Sequence, residues 1–223
     1  MDFSRSAYTP QRPRVKASRM TTRELATPSL RDTIRHRTRD AHEALEATGL
    51  MRDFAQGSIS AAQYRLYLRL QQRLHATLES GLSRWFAPDI AAVRLCKSEW
   101  LTEDLLALGK LSDTAVGETR SIPSLAAAIG TMYVLEGGTL GLQVVRRRLH
   151  DAHPALQGAG RFLLGYGSDT GRRWREFVAW LDALPPAEWP AALAAAEATF
   201  LLFHAAFADS ACDRAASSRF STR

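Results

Sequence analysis

A chain of 223 residues fits one domain, or one domain with tails, and is long enough to bury a sizeable core. Its formal charge of +6 hints at a nucleic-acid partner until the excess is located: residues 1–28 hold roughly +4 and the segment from Asp209 roughly +1, so the body is near neutral and no broad basic face is expected. Cys96 and Cys212 have no metal-like spacing and nothing upstream reads as a secretion signal, which points to free thiols in a reducing, cytoplasmic setting.

Residues 1–28, with Pro10, Pro13, scattered serines and little apolar periodicity, read as a disordered basic extension. After Pro28, Ser29 is a candidate N-cap for a helix on which Leu30, Ile34, Thr38, Ala41 and Leu45 recur at helical spacing, with Gly49 as its stop. Ser60 caps a second helix whose apolar face holds Tyr64, Tyr67, Leu68, Leu74 and Leu78. Pro88 precedes another helical stretch carrying Val93, Leu95, Trp100, Leu101 and Leu105, and 113–123 reads as a loop. From Ser124 to about Leu149 the pattern is helical in spite of Gly130, Gly137, Gly138 and Gly141. Residues 150–171 are mixed, 172–184 helical, and a last helix spans Ala187 to about Ala208 before a tail at 209–223. Its run Ala191 to Ala208 barely reaches membrane-spanning length and carries Glu197 and His204, so it reads as a core helix and no membrane partner is expected. With no alternating strand or hairpin signal, the fold class is all-α, one domain over residues 29–208.

Chemistry concentrates on the first helix. Arg39 lies one turn before His42, Arg35 two turns before, and Glu46 one turn after, all near one azimuth. An imidazole with two guanidiniums along its flank suits a flat anionic cofactor such as haem, the ring reaching the metal and the arginines the carboxylates. A buried, hydrogen-bonded histidine with two surface arginines explains the same residues, and this helix alone leaves both readings open.

The second element is Tyr133-Val134-Leu135-Glu136-Gly137-Gly138-Thr139-Leu140-Gly141-Leu142-Gln143. Each glycine inside a helix costs up to about 1 kcal/mol relative to alanine, so the cluster needs a reason. Gly130, Gly137 and Gly141 fall near one azimuth and leave a stripe without side chains, where a flat ligand could meet backbone or another helix could pack closely. A phosphate loop is disfavoured because no lysine follows the glycines.

Together, Thr38-Arg39-Asp40-Ala41-His42, the run Gly49 to Gly57, and Tyr133 to Gly141 resemble the haem oxygenase family, most of all the bacterial branch that makes biliverdin for bacteriophytochromes. The resemblance spans about residues 29 to 208 and implies a multi-helical domain with haem between a proximal and a distal helix. It implies His42 as the axial iron ligand, Arg35 and Arg39 near the haem carboxylates, and Glu46 beside the imidazole. It further implies Met51, Phe54 and Tyr133 beside the haem, with Gly137, Gly138 and Gly141 forming the catalytic distal wall. Phe200 and Phe203 would close the pocket, with Arg172 and Arg175 as further carboxylate partners. Two positions depart from the family pattern: Gly138 stands where many members carry a distal aspartate that organises water, and Leu142 replaces a glycine. Backbone carbonyls or Thr139 would then have to hold that water.

The implied activity is oxidative cleavage of haem by O₂ and reducing equivalents to biliverdin, Fe²⁺ and CO. The implied partners are a ferredoxin- or flavin-reductase-type electron donor and a bacteriophytochrome that takes the bilin. Two alternatives share the fold: a non-catalytic haem carrier or sensor, and a helical interaction protein without haem. The remaining histidines, His75, His150, His153 and His204, read as structural or solvated, and His36 points off the haem-facing flank.

Overall fold

The computed structural model of the chain describes residues 28–109, 119–152 and 158–220, with backbone alone at 150–152 and 210–220. Among these residues all regular structure is helical. Ser29 opens α1 (Leu30–Arg37) by accepting the Asp32 amide at 3.1 Å. The helix expected to continue to Leu45 is bent at Thr38 (φ −95°, ψ 3°), which separates α1 from α2 (Arg39–Glu46). The buried Thr38 hydroxyl donates to the Ile34 carbonyl at 2.8 Å, a back-bond of the kind that bends helices.

Gly49 is not the expected stop but the first residue of α3 (Gly49–Gln56), after Thr48 in extended geometry. The stop is Gly57, whose φ of +74° ends α3 with a left-handed residue. Ser60 then caps α4 (Ala61–Leu82) reciprocally: the Gln63 amide donates to Ser60 Oγ at 3.2 Å, and the Ser60 amide to Gln63 Oε1 at 2.9 Å.

The stretch after Pro88 is two helices, α5 (Pro88–Arg94) and α6 (Lys97–Ala107), because Leu95 and Cys96 leave helical geometry. The start of α6 is capped from another helix, with the Lys97 and Ser98 amides donating to the Glu79 carboxylate of α4 at 2.8 and 3.2 Å. Most of the loop expected at 113–123 lies outside the described residues.

Ser124 accepts the Ala127 amide at 3.1 Å and α7 (Leu125–Ala152) runs unbroken through all its glycines. Three helices complete the chain: α8 (Arg161–Leu164), α9 (Thr170–Asp182) and α10 (Trp189–Phe220). The last continues past Ala208 into the segment expected as a tail.

The long α7 is the hub, packing on α10, α9, α8 and α3. A Cβ at Gly130 would overlap the Ala192 carbonyl of α10, so this glycine is what lets the two backbones touch. Beside this seam the core holds Ile34, Leu50, Phe54, Tyr64 and Tyr67, with Phe54 stacked on Tyr67 at 3.9 Å between ring centroids. Two segments, Leu125–Leu149 and Pro186–Asp209, are long and apolar enough to cross a membrane; the most apolar windows are 67% and 33% buried within the fold. Glu197 of the second pairs with Arg37 at 3.3 Å.

Candidate functional site

A cavity of about 560 Å³, in the range of small-molecule and cofactor sites, draws its walls from both halves of the chain. His42 lines it with a side chain 50% exposed, its Nδ1 3.7 Å from Glu46 Oε2 one turn later. The ring stands edge-on to Phe200 at 5.4 Å between centroids. Despite the bend at Thr38, Arg35 and Arg39 line the same cavity, as do Glu46, Met51, Phe54, Tyr133 and Phe203. Burial raises the Tyr133 phenol pKa, against a smaller lowering by the nearby Arg35 charge.

Gly137, Gly138 and Gly141 form a bare stretch of wall. A Cβ on Gly138 or Gly141 would meet nothing within 4 Å, and one on Gly137 would only touch the Trp174 ring at 3.9 Å. The glycines that looked like one stripe therefore divide by task. Gly130 serves helix packing, whereas Gly138 and Gly141 meet open space and Gly137 only the edge of Trp174. Leu142 is buried and lines the cavity. Thr139 also lines it, but its hydroxyl donates to the Leu135 carbonyl at 2.9 Å within its own helix.

Arg172 and Arg175 are not brought to the cavity. They are one turn apart on the exposed flank of α9, and Arg172 is held there by Asp169 at 2.8 Å and by Glu176. Trp174 is the α9 residue that reaches the cavity.

Several polar residues at or behind the site were not expected. Tyr67, Gln71 and His75 of α4 line the cavity, and His75 is 3% exposed. Burial is the chief cause that lowers the His75 pKa from its ordinary 6.5, favouring the neutral ring. Behind the glycines, buried Glu136 accepts from Arg94 Nη1 at 2.9 Å, Lys97 Nζ at 3.0 Å and the Tyr166 hydroxyl at 2.8 Å. Burial opposes the Lys97 charge, but Glu136 and Tyr166 outweigh it and raise the pKa. The four-residue spacing of Tyr67, Gln71, His75 and Glu79 was a signal for the first group; spacing holds none for the second, which spans α5, α6, α7 and the turn after α8.

Of the other histidines, His204 is half-buried on α10 away from the cavity, and exposed His36 has its Nδ1 3.5 Å from Arg39 Nη2. The side chains of His150 and His153 lie outside the described residues. Among the described residues no three His, Cys, Asp or Glu side chains gather as a metal cage.

The sequence profile of a family described as "Heme oxygenase" matches residues 28–209. A heme oxygenase of Xanthomonas campestris pv. campestris is 37% identical over 169 residues, covering 71% of this chain and 97% of the relative. The solved heme oxygenase of Leptospira interrogans superposes with a TM-score of 0.63 at 19% identity, covering 82% of this chain and 100% of that one. Heme oxygenase-1 of the cyanobacterium Synechocystis, solved in complex with heme, superposes with a TM-score of 0.62 at 14% identity, covering 87% and 99%.

Proposed function

Since the chain belongs to the haem oxygenase family, whose enzymes degrade haem to biliverdin, we propose that it binds haem in the 560 Å³ cavity with His42 as axial iron ligand and cleaves the ring there. The observation that carries this reading is the pairing of a half-exposed imidazole with a wall of three glycines in one cavity. The residues fit the ligand: side chains at Gly137, Gly138 or Gly141 would occupy the space that a flat ring needs.

When bound, haem supplies both the iron that activates O₂ and the ring that is cut, releasing biliverdin, Fe²⁺ and CO. His42 has Nδ1 on the side of Glu46, at 3.7 Å, and would hold the metal through Nε2. Arg35 and Arg39 are the cations on the cavity wall and take the haem carboxylates. Met51, Phe54, Tyr133, Phe200 and Phe203 supply the apolar bed and exclude water. Gly137, Gly138 and Gly141 present backbone alone and steer by shape. The partners in this reading are O₂, a ferredoxin- or flavin-reductase-type electron donor and, from the joint resemblance of the segments 38–42, 49–57 and 133–141, a bacteriophytochrome that takes the bilin in the cytoplasm.

The test begins with haem titration, which is expected to give a Soret band with an imidazole signature. Electrons and O₂ should then convert it to a bile pigment with release of CO. Haem that binds but stays spectrally unchanged under turnover would mark a carrier or sensor instead. His42→Ala should lose the axial signature and regain it with added imidazole; an unaltered signature in that variant would sink the ligand assignment.

A further inference from the structure

On the flank of α7 away from the glycine wall, the chain between α8 and α9 runs directly against the helix. Three contacts join them. The Tyr166 hydroxyl donates to Glu136 Oε1 at 2.8 Å, and Gln143 Nε2 donates to the Gly167 carbonyl at 2.9 Å. Between these two, Gly165 lies so close to Thr139 that a Cβ on it would stand 2.8 Å from the threonine methyl. Glu136, Thr139 and Gln143 are three and four residues apart, so they follow one flank of α7. Helical geometry sets Gly137, Gly138 and Gly141 on the opposite flank. Neither Glu136 nor Gln143 lines the cavity.

The segment 165–167 is itself tied to the body of the fold. The Gly165 carbonyl accepts from Arg161 Nη1 of α8 at 3.0 Å, and the Gly167 carbonyl from the Thr170 hydroxyl of α9 at 3.0 Å. From α6, buried Lys97 donates to the Tyr166 hydroxyl at 3.0 Å, and the Trp100 ring stands edge-on to Tyr166 at 5.5 Å between centroids. The glycine wall needs such a support. Three glycines among the five residues 137–141 lower helix stability, and no side chain at these positions braces the helix from the cavity side. Burying the Glu136 carboxylate costs desolvation, and fixing register is the best-attested use of such a group.

We propose that segment 165–167 is a splint for the glycine wall: through Tyr166 and Gln143 it sets how far α7 stands from the bound haem, a role that rests on the haem-binding reading. Tyr166 and Gln143 are thus positioning residues. They act through the backbone of α7 and touch neither the haem nor its ligand.

The experiment uses the full chain as wild type and with Gln143→Met and Tyr166→Phe, singly and together. Both substitutions nearly keep the side-chain volume and remove the hydrogen bond across the seam. Hydrogen exchange of the apoprotein, read by mass spectrometry, reports opening of 137–143; infrared spectroscopy of the haem-loaded ferrous CO complex reports the C–O stretch. In wild type the glycine stretch should exchange as slowly as residues 126–132 of the same helix. The double variant should speed it about tenfold, the scale for losing hydrogen bonds of this kind. The C–O band should broaden or split in each single variant and more in the double one, because a looser wall takes several positions against the bound gas. Ser60→Ala, which removes a remote cap at α4, controls for a general loss of stability and should leave the band as in wild type.

Fast exchange of 137–143 in wild type, a result that needs no variant to fold, overturns the proposal. So does a double variant whose Soret band is intact and whose C–O band matches wild type, and so does equal broadening in Ser60→Ala. If wild type gives no Soret band, the haem reading fails and takes the role of the splint with it. A normal Soret band with a flat comparison removes this inference alone.

Discussion

The first turns of α7 and its middle contain glycine for opposite reasons. At Gly130 the missing side chain is filled by the backbone of α10, so the residue holds two helices together. At Gly138 and Gly141 it is filled by nothing in the chain, and at Gly137 by nothing nearer than the Trp174 ring at 3.9 Å, so the residues keep a surface clear for something else. An identical composition thus marks packing near the start of the helix and a ligand wall at its middle. Only the neighbours of each missing Cβ distinguish them, and azimuth on the helix does not.

Between the two glycine sites lies Glu136, and removing it gives the largest expected effect. Glu136→Leu leaves Lys97 buried with only neutral hydrogen-bond partners, Tyr166 and the Arg94 carbonyl, and costs Arg94 its fully buried carboxylate. Breaking a buried pair of this kind costs about 3–5 kcal/mol, to be measured as a lower midpoint in urea unfolding of the apoprotein. Gly130→Ala comes next. The Ala192 carbonyl belongs to a helix backbone and cannot yield as a flexible side chain would, so α7 and α10 must separate at a cost of about 1–3 kcal/mol. Gly138→Ala is the smallest and has the opposite sign. Its methyl has free space and helix propensity improves, so the apoprotein should gain up to about 1 kcal/mol. The same variant should bind haem more weakly in a titration, because the methyl stands on the proposed wall. If Gly138→Ala destabilised the apoprotein as much as Gly130→Ala, the contrast between the two glycine sites would collapse.

Much of this contrast could be read from local chemistry. Ser29 and Ser60 announced helix starts because a hydroxyl reaching a third-residue amide is a local event. His42, Arg35, Arg39 and Glu46 were legible as a group because one helical flank fixes their neighbourhood to within a turn. The bend at Thr38 left them in one cavity but was not foreseen, since the back-bond to Ile34 also occurs in straight helices. Gly49 was misread because a glycine after an apolar run signals a stop, whereas here it begins the next helix and Gly57 takes the left-handed position. Arg172 and Arg175 were placed by family likeness, and the ion pairs of Arg172 with Asp169 and Glu176 keep it on the outer flank. His75 was read as structural or solvated, without a place at the cavity, because nothing in its own helix tells of Phe162 and Phe203, which arrive from α8 and α10. Long-range placement of this kind is a tertiary property and lies beyond any periodicity.

The contribution of α10 to the cavity has a consequence for how the molecule is made. A chain that emerges from its N-terminus folds in that order, and His42 is synthesised long before Phe200 and Phe203, which pack against the two histidines of the pocket. α10 also packs on α7, α2 and α1, so its arrival closes the cavity and the body of the fold together. A nascent chain that has not yet reached α10 displays its imidazole without an enclosure. The capacity to retain an apolar, flat ligand is therefore acquired late in synthesis, and a product interrupted before residue 200 would carry the ligating side chain without the chamber around it.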